Sequence, residues 1–143
     1  MVSTIMVVDD STSVRKMISF TLENAGYTVV EAENGRDAVE KLERVNINMF
    51  IVDLNMPEMD GFELTRSIRE IAEHRFTPVI MLTTESQDAK KLEARAAGAT
   101  GWITKPFKPE QLINVVQKVI TIYLTEDFHK YAKTEKMAEK STL

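Results

Sequence analysis

The chain has 143 residues, of which 43% are hydrophobic and 28% are charged, proportions typical of one soluble globular domain. Its net charge of −4 gives no basic excess of the kind that nucleic-acid binding requires. The absence of cysteine excludes disulfides, thiolate metal sites and cysteine nucleophiles. No run approaches the ~20 apolar residues of a membrane span, and the N-terminal apolar run, about five residues long and followed by two acids, is too short for a secretory signal. We therefore expect a cytoplasmic protein without nucleic-acid binding or membrane insertion.

Short apolar runs alternate with segments of helical periodicity along most of the chain. The predicted strands cover about residues 5–8, 27–30, 49–52, 79–82 and 102–103. The predicted helices cover about residues 14–25, 35–42, 62–71, 87–97 and 109–123. Ser11 or Ser13 can cap the first helix, and Gly26 can end it.

This alternation predicts right-handed crossovers between parallel strands. The first, third and fourth strands are continuous apolar runs, as expected for strands that are buried on both faces. We predict an α/β fold, a three-layer doubly wound five-stranded parallel sheet, over residues 1–123. Residues 124–143 are rich in charge and are predicted to form a C-terminal extension that is helical or disordered.

Chemically active side chains follow four of the predicted strands. Asp9 and Asp10 end the first strand, Asp53 the third, Thr83 the fourth and Lys105 the fifth. Because the carboxyl ends of parallel strands meet at one edge, ligands of such sheets bind there. Clustered carboxylates repel one another, and a hard divalent cation relieves that repulsion.

The acids predict a Mg²⁺ site beside a phosphoryl acceptor. Mg²⁺ prefers oxygen ligands, and we assign Asp10 and Asp53 with help from Asp9 and the backbone carbonyl of Asn55. Asp53 is the predicted carboxylate nucleophile towards phosphorus. Lys105 would supply a positive charge for the phosphoryl oxygens and Thr83 a hydroxyl donor.

The residues Asp9-Asp10, Asp53, Thr83 and Lys105-Pro106-Phe107 resemble the signature of response-regulator receiver domains, the CheY-like family. The resemblance covers roughly residues 3–122. It implies phosphotransfer from a histidine kinase to Asp53, dependence on Mg²⁺ and self-catalysed dephosphorylation, without enzymatic turnover. It also implies a cis peptide bond between Lys105 and Pro106.

The resemblance further implies a conformational switch. In receivers the hydroxyl at the Thr83 position turns towards the phosphoryl group, and an aromatic residue at the Trp102 position moves inward. The face made by the fourth helix, fifth strand and fifth helix then changes its protein binding. Trp102 stands where the family usually has Tyr or Phe. Asn55 and Glu85 occupy positions that tune phosphoryl lifetime, and similar polar pairs occur in chemotaxis receivers.

The fourth helix is predicted to be weakly anchored, since the sequence offers little for burial beyond Ala89, Leu92 and Ala96. His74 and His129 have no partner at metal-ligand spacing, and both are predicted to be surface residues.

The output is expected to be protein binding, because the roughly 20 residues after Tyr123 are too few for an effector domain. By resemblance, the leading interpretation is a stand-alone chemotaxis regulator, a monomer or weak dimer, whose partners are a histidine kinase and a flagellar motor switch protein or phosphatase. A phosphorelay shuttle is the main alternative. More distant ones are a flavodoxin-like electron carrier using residues 11–13, an aspartyl phosphohydrolase and a degenerate receiver that only binds.

Overall fold

The computed structural model describes residues 3–84 and 88–123. The strands are β1 (Thr4–Val8), β2 (Thr28–Ala32), β3 (Met49–Asp53), β4 (Val79–Thr83) and β5 (Gly101–Thr104). The helices are α1 (Thr12–Asn24), α2 (Gly35–Leu42), α3 (Gly61–Glu70), α4 (Asp88–Ala97) and α5 (Pro109–Tyr123). A short 3-10 helix, Ala72–His74, precedes β4 and was not predicted. The predicted alternation of strands and helices is confirmed.

The five strands form one parallel sheet in the order β2-β1-β3-β4-β5. The chain leaves β1 towards one edge of the sheet and crosses back to β3 on the other side, so the strand order reverses between β1 and β3. Crevices at such reversal points, beyond the carboxyl ends of the strands, are the usual ligand sites of open α/β sheets.

Alternate side chains of the central strands pack into two cores, one on each face of the sheet. Ile5 and Val7 point into the core shared with α1 and α5. Met6 and Val8 point into the core shared with α2 and α3. Both faces are covered by helices, which explains why β1, β3 and β4 are almost completely apolar. The predicted three-layer architecture is confirmed.

Side-chain caps begin the first three helices. The Ser11 hydroxyl accepts a hydrogen bond from the Val14 amide at 3.4 Å, and the Asn34 side chain accepts one from Asp37 at 2.8 Å. Asp60 caps α3 in the same way, through the Glu63 amide at 2.9 Å. Each cap satisfies an amide that a helix start leaves unpaired, which is why these boundaries follow short polar residues.

The prediction for His74 is wrong. Its side chain is buried. Its ring packs edge to face on the Phe50 ring, with 5.3 Å between the ring centroids, and its Nδ1 lies 2.9 Å from the Thr77 hydroxyl oxygen. His74 ends the short 3-10 helix and contacts β3, which sequence periodicity did not indicate. His129 lies outside the described residues.

The predicted buried side of α4 is also wrong. Ala89, Leu92 and Ala96 are exposed, whereas Ala94 and Ala97 pack in a third apolar cluster with side chains of α3 and β4. The buried positions are three residues apart and small, and Leu92 remains 64% exposed. The anchoring contact is still narrow.

The described helices include none with the length and apolar character needed to cross a bilayer. The predicted extension, residues 124–143, lies outside the described part of the chain.

Candidate functional site

Three carboxylates converge at the carboxyl edge of β1 and β3. Val8 of β1 and Val52 of β3 are register partners, so Asp9 and Asp53 are the next pair along the two strands. With Asp10, they place one carboxylate oxygen each within 4.8 Å of one another. Asp9 and Asp53 are buried and Asp10 is exposed. The sequence prediction that these three acids come together is confirmed.

Lys105 reaches this acidic cluster from the end of β5. Its ammonium donates to Asp53 Oδ1 at 3.0 Å and to Asp9 Oδ2 at 3.4 Å. Its backbone amide donates to the Thr83 carbonyl at 2.7 Å, and the Lys105–Pro106 peptide bond is cis, as the resemblance implied. A single cation therefore bridges two acids from different strands.

Burial and charge oppose each other in the cluster. Burial raises the pKa of Asp53; the Lys105 ammonium opposes this, while the charges of Asp9 and Asp10 raise the pKa further. Burial alone would lower the pKa of Lys105, but the hydrogen bond to Asp53 and the charges of Asp53 and Asp9 outweigh it and leave the pKa raised. One ammonium does not neutralise three carboxylates, so the cluster favours an additional cation.

The donor chemistry fits a small, hard divalent cation. All three groups are carboxylate oxygens, the ligand type that Mg²⁺ prefers, and the exposure of Asp10 leaves room for water or phosphate oxygens as further ligands. The described cluster offers neither thiolate nor imidazole, the ligands that zinc selects.

Asp9 is held from three sides. The Ser11 amide donates to its Oδ1 at 2.9 Å, and Lys105 contacts its other oxygen. The Arg15 guanidinium donates to the Asp9 backbone carbonyl at 2.8 Å. Arg15 was not identified from the sequence, because its contact depends on the path of the chain from β1 into α1.

The turn between β3 and α3 leaves no space for a side chain at Gly61. A methyl group there would lie 2.8 Å from the Asp53 carbonyl oxygen and 2.9 Å from Leu54 Cα, both main-chain atoms. The Gly61 amide donates to the Leu54 carbonyl at 2.9 Å. Glu58 in the same turn has φ of 68°, in the left-handed region. The start of α3 is thus packed directly against the backbone of Asp53.

The remaining predicted residues lie around this cluster. Thr83 is buried at the end of β4, one position beyond Leu82, the register partner of Asp53. Asn55 is exposed in the turn after β3. Trp102 is half-buried on β5, and its indole N–H donates to the Thr104 hydroxyl at 3.3 Å. Glu85 lies outside the described residues.

Comparison with known proteins agrees with this geometry. Residues 5–117 match the family model described as the response regulator receiver domain. Chemotaxis protein CheY1 of Helicobacter pylori is 40% identical over 118 residues, which are 81% of this chain and 95% of that protein. Transcriptional regulatory protein ResD of Bacillus subtilis is 37% identical over 116 residues, and the match covers 81% of this chain but only 47% of ResD.

Solved structures give the same assignment. Vibrio cholerae chemotaxis protein CheY4 superposes with a TM-score of 0.81 at 45% identity, covering 82% of this chain and 98% of that one. The family model spans most of the chain, and the acidic cluster with its lysine lies within the matched residues. The chain belongs to the family of response regulator receiver domains.

Proposed function

We propose that this protein accepts a phosphoryl group on Asp53 from a histidine kinase and changes its protein binding in response. The observation that carries the proposal is the convergence of Asp9, Asp10 and Asp53, with Lys105 bonded to the last of these. A purely structural role explains this arrangement poorly, because buried like charges are costly.

Asp53 would act as the nucleophile. One of its carboxylate oxygens forms a bond to phosphorus while the bond from phosphorus to the kinase histidine nitrogen breaks, and the phosphoryl group moves between the two proteins. Lys105 would hold the phosphoryl oxygens by charge, and the Thr83 hydroxyl would donate to one of them. Asn55 and Glu85 would tune how long the phosphoryl group persists.

Asp9, Asp10, Asp53 and the Asn55 backbone carbonyl would hold Mg²⁺. When bound, Mg²⁺ supplies the additional positive charge that phosphoryl transfer requires. The chain itself contributes the fixed oxygen ligands, the lysine and the buried floor of the site beneath them. The reaction is a single self-catalysed event on the protein's own residue rather than turnover of a substrate.

The response would pass through Thr83 and Trp102 to the surface formed by α4, β5 and α5. Trp102 lines an open cavity of about 190 Å³ with Ala94 of α4 and Thr104 of β5. The half-buried indole therefore has space beside it on the α4 side. Because α4 has only a narrow apolar contact with its neighbours, a change at the phosphoryl site could shift this helix.

Chemotaxis is the pathway that the relatives favour. The match to CheY1 of Helicobacter pylori spans 95% of that protein and the match to CheY4 of Vibrio cholerae 98%. Partners would then be a histidine kinase and a flagellar motor switch protein or phosphatase, in the cytoplasm, with the receiver acting as a monomer or weak dimer. A phosphorelay shuttle remains the alternative, and the flavin-carrier alternative loses its support because the chain is a receiver domain.

Acetyl phosphate with Mg²⁺ tests the proposal without the kinase. We expect one phosphoryl group per chain by intact-protein mass, a change in the fluorescence of Trp102, the single tryptophan, and loss of both in Asp53→Asn. Asp60→Asn is the matched control, since it removes a nearby carboxylate while asparagine still caps α3. Labelling that persists in Asp53→Asn, or that is unchanged when a chelator removes Mg²⁺, contradicts the proposal.

A further inference from the structure

Arg15 connects the first acidic strand end to a carboxylate on β2. Its Nη1 donates to the Asp9 carbonyl at 2.8 Å, and its Nε donates to Glu31 Oε1 at 2.9 Å. The Arg15 side chain is only 12% exposed. We propose that Arg15, oriented by Glu31, is a positioning residue that fixes the Asp9–Asp10 peptide for cation binding, an inference that rests on the proposed function.

The Asp9 carbonyl belongs to the peptide that joins the two acids, so its direction sets where the next residue points. The Asp10 carboxylate accepts no hydrogen bond from the part of the chain that the structure describes. Its position therefore depends on the main chain more than that of Asp9, which is bonded at both carboxylate oxygens. A contact that fixes this peptide acts mainly on Asp10.

The chemistry of Arg15 suits such a role. The guanidinium is a rigid planar group whose nitrogens reach two acceptors at once, here a carboxylate and a carbonyl. Arg15 lies near the N-terminal end of α1, where a positive charge is unfavourable to the helix dipole. The contacts with Glu31 and the Asp9 carbonyl offset that cost and hold the guanidinium in position.

Lys16 provides an internal comparison. Its ammonium contacts the other oxygen of Glu31 at 3.1 Å, but the Lys16 side chain is 67% exposed, and none of its described contacts reaches Asp9. The two neighbours thus share one carboxylate partner, and only Arg15 extends from it to the acid pair.

Calorimetric titration of the unphosphorylated protein with MgCl₂ tests this role. We expect Arg15→Gln to weaken Mg²⁺ affinity by about tenfold, the usual size for losing a group that orients a metal ligand. The Mg²⁺ affinity of Arg15→Lys should fall similarly, because a lysine keeps the charge but cannot reach both acceptors with one planar group. Glu31→Gln should weaken affinity in the same direction, and it replaces Arg15→Gln if that variant does not fold. Lys16→Gln should bind as the parent does.

Urea unfolding of each variant with chelator present shows whether a loss of Mg²⁺ affinity comes with a general loss of folding stability. Wild-type affinity in Arg15→Gln, or full rescue by Arg15→Lys, overturns the positioning role. Equal weakening in Lys16→Gln also overturns it, since the effect would then belong to Glu31 and not to the Asp9 contact. A parent protein that neither binds Mg²⁺ nor is labelled on Asp53 refutes the proposed function instead, so the two failures are distinguishable.

Discussion

Lys105 joins two acidic strand ends that would otherwise repel each other. Its side chain is 21% exposed and its ammonium contacts both Asp9 and Asp53, while its backbone amide donates to the carbonyl of Thr83, the last residue of β4. Both carboxylates are far more buried than their lysine partner. Charge compensation inside the site is therefore partial, because one ammonium faces two buried carboxylates.

At the residue scale, His74 makes stability depend on pH. Burial lowers its pKa, helped by the charge of Arg69 and opposed by Glu73, so the folded protein favours the neutral ring. The unfolded chain takes up the proton near pH 6.5 and so binds more protons than the folded one below that value. We expect this stabilisation to be complete above pH 6.5 and to be lost as pH falls through the lowered pKa.

Urea unfolding of the parent and His74→Gln between pH 8 and pH 5 measures the effect. The difference in free energy of unfolding should favour the parent most at the high end and shrink as the solution is acidified. A constant difference would mean that His74 titrates alike in both states.

The acids of the site were predictable because they stand at or just beyond the ends of apolar strands, and the strand ends of a parallel sheet share one edge. Arg15 and His74 were not predictable in this way. Arg15 of α1 contacts the Glu31 carboxylate of β2, 16 residues away, and His74 packs on Phe50 of β3, so both roles depend on tertiary contacts without a local pattern.

At the element scale, Arg69 holds the C-terminal end of α4. From α3, its guanidinium donates to the carbonyls of Gly98, His74 and Thr77 at 2.6 to 3.0 Å. Burial lowers the pKa of Arg69 to about 10, so the group stays charged at neutral pH. One side chain thereby provides hydrogen-bond donors for carbonyl groups at the end of α4 and in the loop that enters β4.

Replacing Arg69 with methionine should lower the free energy of unfolding by about 2–4 kcal/mol, because three carbonyls lose their charged donor. Arg66→Met is the matched control, since Arg66 is an exposed arginine on the same helix. Chemical unfolding of both variants gives the comparison. Equal small losses would show that water replaces the donor at no cost.

Helix boundaries were predicted better than helix faces. The cap at Ser11 is a local contact, and Gly98 takes the left-handed φ of 104° that ends a helix. The buried side of α4 depends on the cluster formed by Leu54, Phe62 and Met81, which comes from distant segments. An alanine-rich helix gives little periodicity from which to choose between its sides.

At the scale of the whole molecule, cation binding should be coupled to folding. The three carboxylates meet only in the folded sheet, so we expect Mg²⁺ to bind the native state and not the unfolded chain. Above its Kd, each tenfold increase in Mg²⁺ should raise the free energy of unfolding by about 1.4 kcal/mol. Urea unfolding across a MgCl₂ series, with NaCl at matched ionic strength as control, measures the slope.

Asp10→Asn should shift the onset of this stabilisation to higher Mg²⁺ concentration, with little effect on stability in chelator, because Asp10 is exposed. An unchanged onset would place the cation elsewhere. A slope equal to that of NaCl in the parent would mean that general ionic screening accounts for the stabilisation.

Adjacent strands in any sheet are about 4.8 Å apart, and Asp9 and Asp53 each come immediately after register partners, Val8 and Val52. The distance between the main chains that carry these acids is consequently set by backbone hydrogen bonding, and the loops beyond them have little influence on it. Substitutions in the loops on this side of the sheet should therefore leave that spacing unchanged, except at positions such as Gly61 that pack against the backbone of Asp53. A receiver domain can in this way change the surface around its acids while it keeps their separation.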